Sequence, residues 1–114
     1  PEGAYYLARQ LMNQKKFDRA ETYFRQALAM RPQYEDAWNG LAVNTAHAGN
    51  LDAAIAMAET LATQSPDYAP VHYNLAWWYA EDKGDLESAR PHYEKARALG
   101  MAGDKDLEEL LGMR

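Results

Sequence analysis

The sequence predicts an all-α fold in which antiparallel helical hairpins follow one another as a repeat array. Three observations support this prediction: short motifs recur every 34 residues, apolar residues keep a helical spacing between them, and a proline closes each of the first two units. The recurring motifs are Leu7-Ala8, Leu41-Ala42 and Leu75-Ala76, then Ala20 and Ala54, and finally Pro32-Gln33-Tyr34 and Pro66-Asp67-Tyr68. A period of this length is typical of arrays in which each repeat is one helix-turn-helix unit.

We therefore expect one domain over residues 1–114. Its predicted repeats are 1–34, 35–68 and 69–102, and a capping helix is predicted over 104–112. With 47% hydrophobic and 25% charged residues, the composition is near the average for folded globular proteins. No apolar run approaches the ~18 residues needed to cross a bilayer, so membrane insertion is not expected. The absence of Cys and of a leader sequence leaves the cellular compartment open, and a start at Pro1 indicates a piece of a longer protein.

Charge is distributed unevenly along the chain. The first repeat carries six Lys/Arg and three Asp/Glu, the second carries none and five, and residues 69–114 carry six and nine. The total is −5 and the isoelectric point is near 5.1. A continuous positive surface is the usual requirement for binding a phosphate backbone, so we do not expect nucleic acid as a partner.

The first hairpin is predicted to consist of helices over residues 4–14 and 17–31. Leu7, Ala8 and Leu11 fall on one face of the first helix at helical spacing. Lys15-Lys16 is interpreted as the turn. The second helix ends before a proline, which lacks the N–H donor and clashes with the preceding turn of a helix.

The second hairpin is predicted to consist of helices over residues 35–48 and 51–64, joined by Gly49-Asn50. Its second helix is rich in alanine, which costs little side-chain entropy and allows close approach of neighbouring helices. We therefore expect tight but shallow packing in this repeat.

The third hairpin departs from the regular spacing. Its first helix is predicted over residues 70–82, and the turn Lys83-Gly84-Asp85 is predicted to be one residue longer than the other turns, because Ala89 lies 35 residues after Ala54. Pro91 falls inside the next helix, so we expect either a kink or a start displaced to Ser88 as the N-cap.

A short terminal helix is predicted after a break at residues 100–103. Asp104 is expected to be its N-cap, because a carboxylate can accept hydrogen bonds from the first free N–H groups of a helix. Its apolar side is formed by three leucines, Leu107, Leu110 and Leu111. This helix is expected to cover the open end of the stack.

These motifs resemble those of the tetratricopeptide repeat family, whose pattern is Trp-x2-Leu-Gly-x2-Tyr, Ala-x3-Phe and Pro over 34 residues. The resemblance covers residues 1 to about 101. The first repeat has Leu7, Ala8, Ala20, Phe24 and Pro32, with Ala4 in the Trp position. The second has Trp38, Leu41, Ala42, Ala54 and Pro66, with Thr45 for Tyr and Ala58 for Phe. The third has Leu75, Ala76, Tyr79, Ala89 and Tyr93, with His72 in the Trp position and Met101 in the Pro position.

The resemblance implies a right-handed superhelical stack of about seven helices, an α-α solenoid. Small side chains such as Ala8, Ala20 and Ala27 are expected to bring helices close together. Larger ones are expected to fill the gaps between successive hairpins, namely Leu7, Phe24 and Trp38.

The resemblance also implies a concave groove, lined by the first helices of successive hairpins, that binds a peptide segment or a helix of a partner protein. Carried over by position, the groove residues are Tyr5, Arg9 and Met12, then Asn39, Val43 and His47, and finally Tyr73, Asn74, Trp77 and Glu81. Some members of the family bind acidic chaperone tails through Lys, Arg and Asn side chains. Only Arg9 brings positive charge to the corresponding positions here, so that role is not expected.

Some of these residues also fit a purely structural role. Adjacent helical residues point about 100° apart, so one member of each pair Tyr5-Tyr6 and Trp77-Trp78 is expected to be packed. We assign Trp78 to packing and Trp77 to the groove. Asn39 and Asn74 fit solvated residues as well as amides that hold the backbone of an extended peptide.

Catalysis and metal binding have no support in the sequence, and no cofactor is expected. His47, His72 and His92 are interpreted as residues of different hairpins without a ligand spacing. The predicted function is a non-catalytic scaffold for protein–protein interaction. The alternatives left open are a structural or self-assembling segment of a longer repeat protein, in which copies stack on one another, and RNA binding, which the acidic balance disfavours.

Overall fold

The computed structural model describes all 114 residues and contains seven α-helices, one π-helical segment and no strand. The helices are α1 (Glu2–Asn13), α2 (Phe17–Met30), α3 (Glu35–His47), α4 (Leu51–Gln64), α5 (Ala69–Trp77), α6 (Leu86–Ala98) and α7 (Lys105–Leu110), and the π-helical segment is Trp78–Asp82. The prediction of an all-α fold built from helical hairpins is confirmed. No helix combines the length and the apolar character that a bilayer-spanning segment requires.

The chain divides into two compact units. Unit 1 comprises residues Pro1–Leu61 and therefore holds α1, α2, α3 and most of α4. Unit 2 comprises residues Ala62–Arg114 and holds the end of α4 and everything that follows. Each unit has its own hydrophobic core.

The core of unit 1 combines small and large side chains, as the sequence predicts. Ala8, Ala20 and Ala27 are fully buried together with Phe24. Gly40 belongs to the same arrangement, because a Cβ atom at this position would lie 2.5 Å from Cε1 of the Phe24 ring. The close approach of α3 to α2 therefore depends on a residue without a side chain.

Two of the three predicted gap-filling residues are packed, and the third is not. Phe24 is fully buried, and Trp38 packs against the core while its Nε1 donates a hydrogen bond to the carbonyl of Pro32 at 2.8 Å. Leu7 is 39% exposed, so the expectation that it fills a gap is wrong. Within unit 1, α1 packs against α2 with the face that carries Ala8 and Leu11, and Leu7 lies beside that face.

The turn between α1 and α2 contains a residue with unusual backbone geometry. Lys15 has φ 63°, in the left-handed region, and the equivalent position of the next turn is Gly49 with φ 98°. Both turns close in the same way: Lys16 N–H donates to the carbonyl of Leu11, and Asn50 N–H to that of Thr45. A lysine thus occupies a position at which the second hairpin has glycine.

The extra residue of the third hairpin lies in a helix and not in the turn, contrary to the prediction. All three hairpins have three residues between their helices. The five residues of the π-helical segment continue α5, and the Lys83 N–H bonds to the carbonyl of Trp78, five residues earlier. A helix absorbs one inserted residue by widening a single turn in this way, which keeps the faces before and after it in register.

Pro91 does not displace the start of α6. The helix begins at Leu86, and the N-cap is Asp85, whose carboxylate accepts hydrogen bonds from the Ser88 N–H at 3.1 Å and the Ser88 hydroxyl at 2.7 Å. The prediction of Ser88 as the N-cap is therefore wrong, and the helix continues through the proline.

The terminal helix α7 completes the core of unit 2. Asp104 is its N-cap, as predicted, and accepts a hydrogen bond from the Leu107 N–H at 3.1 Å. Leu107 and Leu111 are fully buried against α5, α6 and the π-helical segment. Leu110 is 39% exposed, so the prediction that all three leucines form the packed side is wrong for this one.

Candidate functional site

An aromatic cluster surrounds Tyr5, one of the predicted groove residues. Its ring centroid lies 5.2 Å from that of Tyr34 and 5.3 Å from that of Tyr6. The guanidinium groups of Arg9 and Arg31 lie over the rings of Tyr5 and Tyr34 at 5.6 and 4.9 Å. Burial raises the pKa of Tyr5, whereas Tyr6 is 59% exposed. Tyr5 is thus half-buried, and Arg9 contributes an exposed cation.

Met12 and His47, also predicted, lie together at one end of α1 and α3. With Asn13, Lys15 and Phe17 they line a cleft of about 220 Å³. The His47 ring stacks on that of Phe17, with centroids 6.4 Å apart. Two residues that were predicted as parts of a long groove therefore meet in a local cleft beside the α1–α2 turn.

The remaining predicted residues of unit 1 are on α3. Asn39 and Val43 are half-buried, four residues apart on one side of the helix. Asn44 is the buried polar residue of this helix: its Nδ2 donates a hydrogen bond to the carbonyl of Phe17 at 3.0 Å, which ties α3 to the start of α2. Asn39 is therefore on the surface side of α3, and Asn44 is on the core side.

In unit 2, Tyr73 and Trp77 contact the terminal helix. The Tyr73 hydroxyl donates a hydrogen bond to Asp104 Oδ2, and both aromatic residues pack against the core that includes Leu107. Hydrogen bonds from Tyr73, from the Leu107 N–H and from Trp77 lower the pKa of Asp104. Burial, and then the carboxylate of Asp104, raises the pKa of Tyr73. Tyr73 and Trp77 thus have a structural role, and their part in a groove stays a prediction.

A second tyrosine–carboxylate pair lies beside the first. The Tyr93 hydroxyl donates a hydrogen bond to Glu108 and accepts one from the Asp104 N–H at 2.9 Å. Arg114 Nε donates to the same carboxylate at 2.7 Å. The hydrogen bonds from Tyr93 and Arg114 lower the pKa of Glu108. Together the two pairs fix α7 on α5 and α6.

The last predicted residues of unit 2 have different surroundings. Asn74 is half-buried on α5, and Trp78, assigned to packing, is half-buried as well. Glu81 is exposed and lies within the π-helical segment.

His72 and His92 form a pair that the sequence analysis missed, because it assigned them to different hairpins. Both belong to the third hairpin, and their Nδ1 atoms lie 3.0 Å apart. A carbonyl only accepts hydrogen bonds, so the contact of His72 Nε2 with the carbonyl of Pro66 at 2.8 Å places a proton on Nε2. In this Nε2–H tautomer, His72 Nδ1 accepts a hydrogen bond from the Nδ1–H of His92. No group of three or more His, Cys, Asp or Glu side chains is arranged to hold a metal ion.

A basic surface at the α1–α2 turn was also missed. We call it the basic edge and define it by Lys15, Lys16, Phe17 and Arg19. These residues line a second cleft of about 400 Å³ together with Asp18 and Ala48. The sequence signal was the run of three cations around Phe17, which was interpreted as a turn alone.

The helical hairpins, the close helix contacts at alanine and the half-exposed aromatic side chains define a helical repeat protein. A family model described as tetratricopeptide repeat matches residues 11–76, and a second of the same description matches residues 69–96. The chain therefore belongs to the tetratricopeptide repeat family, which confirms the resemblance found in the sequence.

Solved structures with the same fold cover nearly the whole chain. The tetratricopeptide repeat domain of Sgt2 from Aspergillus fumigatus has a TM-score of 0.83 and 21% identity, over 98% of this chain and 74% of that one. The Yersinia enterocolitica type III secretion chaperone SycD, solved in complex with a peptide of the translocator YopD, has a TM-score of 0.76 and 21% identity, over 98% and 84%. A thermophilic tetratricopeptide repeat protein of Thermus thermophilus has a TM-score of 0.76 and 26% identity, over 98% and 62%. Comparison with the curated proteins gives no match.

Proposed function

We propose that this chain is a protein–protein interaction module that binds a peptide segment or a helix of a partner protein. The observation that carries the proposal is the set of side chains on the first helices of the hairpins. The chain belongs to a family of helical repeat proteins, and its helices α1 and α5 have half-buried aromatic side chains next to polar or charged ones, such as Tyr5 beside Arg9. Aromatic and arginine side chains on a fixed helix face are the residue types that most often dominate binding energy at interfaces.

The contributing residues are those predicted from the sequence. In unit 1 they are Tyr5, Arg9, Met12, Asn39, Val43 and His47. In unit 2 they are Tyr73, Asn74, Trp77 and Glu81. SycD, which shares the fold, was solved with a bound peptide, and this supports a peptide segment as the kind of ligand. No catalytic step is part of the proposal.

The experiment selects peptides from a random phage-displayed library on the immobilised chain and measures their affinity in solution by fluorescence anisotropy. The test variant is Arg9→Ala/Asn39→Ala, because neither residue belongs to the core of unit 1. We expect it to bind the selected peptides about tenfold more weakly than the wild type. The matched control is Gln26→Ala/Thr60→Ala, two exposed residues of the second helices α2 and α4.

Unchanged affinity in the test variant, with an unchanged melting temperature, would exclude the first helices of unit 1 as the binding surface. The affinity of the same peptides for the Glu81→Ala variant tests the first helix of unit 2. Peptides that lose affinity only with the control variant would place binding on the second helices.

A second candidate function is self-assembly, favoured by exposed apolar side chains of unit 1. Tyr6 is 59% exposed, Leu7 39% and Met30 58%. Exposed apolar surface of this kind is covered in many proteins by a second chain. Light scattering across a hundredfold range of concentration tests this: a constant monomer mass excludes it, and a mass that rises and is restored to the monomer by Leu7→Gln supports it.

A further inference from the structure

The turn between α1 and α2 carries two adjoining clefts that share Lys15 and Phe17. The larger is lined by Lys15, Lys16, Phe17, Asp18, Arg19 and Ala48, and the smaller adds Met12, Asn13 and His47. We propose that this basic edge is a docking site for an acidic segment of a partner protein, with one apolar side chain of the segment seated beside Phe17. The proposal rests on the proposed function in that the occupant is a protein, but it concerns the α1–α2 turn, and of the residues proposed for the first-helix faces only Met12 and His47 line its clefts.

The cations of the basic edge have no ion-pair partners. Lys15, Lys16 and Arg19 are exposed, and none of them takes part in an ion pair. Of the other cations of unit 1, Arg25 pairs with Glu21 at 2.8 Å and Arg31 with Glu2 at 2.7 Å, while Arg9 lies over the Tyr5 ring at 5.6 Å. Three cations within five residues, with Asp18 as the single carboxylate among them, leave a net positive surface for an acidic ligand.

Apolar side chains line the clefts between the cations. Phe17 is half-buried and stacks on His47, and Met12 and Ala48 line the clefts on either side of it. A cleft of this kind suits a single Leu or Phe side chain, while flanking carboxylates reach the cations around its rim. The two clefts therefore favour a segment that carries both acidic residues and one apolar residue.

The backbone of the turn also supports a role for the Lys15 side chain. Lys15 has a left-handed backbone conformation, which glycine adopts at Gly49 in the equivalent turn. A non-glycine residue in this region costs about 1 kcal/mol or more. The turn alone would thus be better served by glycine, and the lysine contributes a side chain to the cleft that glycine would not.

The charge of the surrounding chain distinguishes an acidic peptide from a nucleic acid. Residues 35–68 contain no Lys or Arg and five Asp or Glu, so the positive surface does not extend beyond the first hairpin. A long polyanion would reach this acidic region, whereas a short segment with a few carboxylates would not. An acidic protein segment is therefore the occupant that the charges favour.

The test uses the full chain and a fluorescein-labelled nonapeptide with two Asp and two Glu around a central Leu. Its affinity is measured by anisotropy in 50 mM salt against a matched peptide in which Asn and Gln replace the acids. We expect the acidic peptide to bind at least about tenfold more tightly than the amide peptide. We expect the affinity to fall several-fold in 300 mM salt, because the pairs are exposed.

Two variants of the chain distinguish binding at the basic edge from a general effect of the net charge of the protein. Lys15→Glu/Lys16→Glu is expected to weaken binding at least about tenfold, because it removes two attractions and adds two repulsions. Lys83→Glu/Lys105→Glu makes the same change of net charge on exposed residues of unit 2 and is expected to leave the affinity unchanged. Equal losses in both variants would overturn the proposal.

Lys15→Gly is the variant that removes the side chain and relaxes the turn at the same time. It is expected to raise the melting temperature and still weaken peptide binding about two- to fivefold. Unchanged binding in this more stable variant would overturn the role of Lys15. Tighter binding of a nine-residue oligouridine than of the acidic peptide, lost in Lys15→Glu/Lys16→Glu, would also overturn the proposal in favour of a phosphate ligand.

Failure of the docking site at the basic edge can be distinguished from failure of the proposed function. Arg9→Ala/Asn39→Ala is expected to bind the acidic nonapeptide like the wild type, because both residues lie outside the two clefts. If the nonapeptide binds neither the wild type nor any variant, the basic edge is not a docking site, and the library-selected peptides still test the first-helix faces.

Discussion

The hydroxyl of Tyr73 on α5 donates a hydrogen bond to the carboxylate of Asp104, the residue that caps α7. This contact joins residues 31 positions apart and connects the third hairpin to the terminal helix. A helix of six residues is too short to be stable alone in water, so α7 depends on such contacts and on its two buried leucines.

We expect Tyr73→Phe to loosen α7 without unfolding the rest of unit 2. The variant keeps the ring and removes one hydrogen bond to a half-buried carboxylate, which should lower the free energy of local opening by about 1 kcal/mol. Amide hydrogen exchange at Leu111, whose N–H bonds to the carbonyl of Leu107 at 2.9 Å, measures this. The amide of Ala20 in unit 1 is the internal control, and a Leu111 amide that stays as protected as in the wild type contradicts the prediction.

The attachment of α7 should depend on pH at both ends of the scale. The pKa values of Asp104 and Glu108 are lowered by hydrogen bonds from Tyr73 and Tyr93. The contribution of these two carboxylates to the stability of the α7 attachment is therefore present above their unfolded pKa near 4 and is lost as pH falls through their folded pKa values. The pKa values of Tyr73 and Tyr93 are raised, chiefly by burial. The contribution of the two tyrosines to the stability of the α7 attachment is therefore present below their unfolded pKa near 10 and is lost as pH rises through their folded pKa values.

Tryptophan fluorescence and limited proteolysis between pH 2 and 12 measure this dependence. We expect cleavage after residues of α7 to increase below about pH 4 and above about pH 10. Tyr73→Phe/Tyr93→Phe is the control, because it removes the alkaline step. An alkaline step of equal size in this double variant would show that other groups cause it.

Gly40→Ala should destabilise unit 1 although alanine is the better helix former. The new Cβ would lie 2.5 Å from Cε1 of the fully buried Phe24 ring, which has to move. We expect a loss of about 1–3 kcal/mol, because overpacking in a core outweighs a gain in helix propensity of about 1 kcal/mol. Gly3→Ala in α1 meets no atom within 4 Å and is the matched control. Chemical denaturation checks both, and a stabilised Gly40→Ala would refute the steric argument.

His92→Ala should destabilise unit 2 by leaving His72 without its partner. His72 is 6% exposed, and its Nδ1 would lose the only hydrogen bond that it makes there. A buried polar atom left unsatisfied costs about 1–3 kcal/mol. Long-range nitrogen–proton NMR spectra of the wild type provide an independent measurement. They should give the Nε2–H tautomer for His72 and the Nδ1–H tautomer for His92, and the opposite assignment would contradict the hydrogen-bond pattern.

The sequence predicted the repeat and most helix boundaries because both depend on local signals. Proline ends α2, glycine permits the turn at Gly49, and the spacing of apolar residues gives the buried face of each helix. Ala8, Ala20 and Ala27 were recognised as core positions because close helix packing requires small side chains at a regular spacing.

The candidate site was predicted only in part, because spacing along one helix does not say what the neighbouring helices contribute. Tyr73 and Trp77 lie on the predicted helix, but the helix α7 that contacts them is encoded about 30 residues later. The pairing of His72 with His92 crosses from α5 to α6, and no local pattern reports it. The clefts at the basic edge are lined by residues of α1, α2 and α3 around Phe17.

The sequence by itself thus determined the fold class, the period and the faces of the helices, since these depend on residues within a few positions of each other. Only the tertiary structure decided where the extra residue of the third hairpin went, and which polar side chains meet. The extra residue entered a π-helical segment because a widened turn keeps the packed faces of α5 and α6 in register. Contacts such as Tyr73 with Asp104 form because packing brings distant residues together, and their energies depend on burial that no single helix defines.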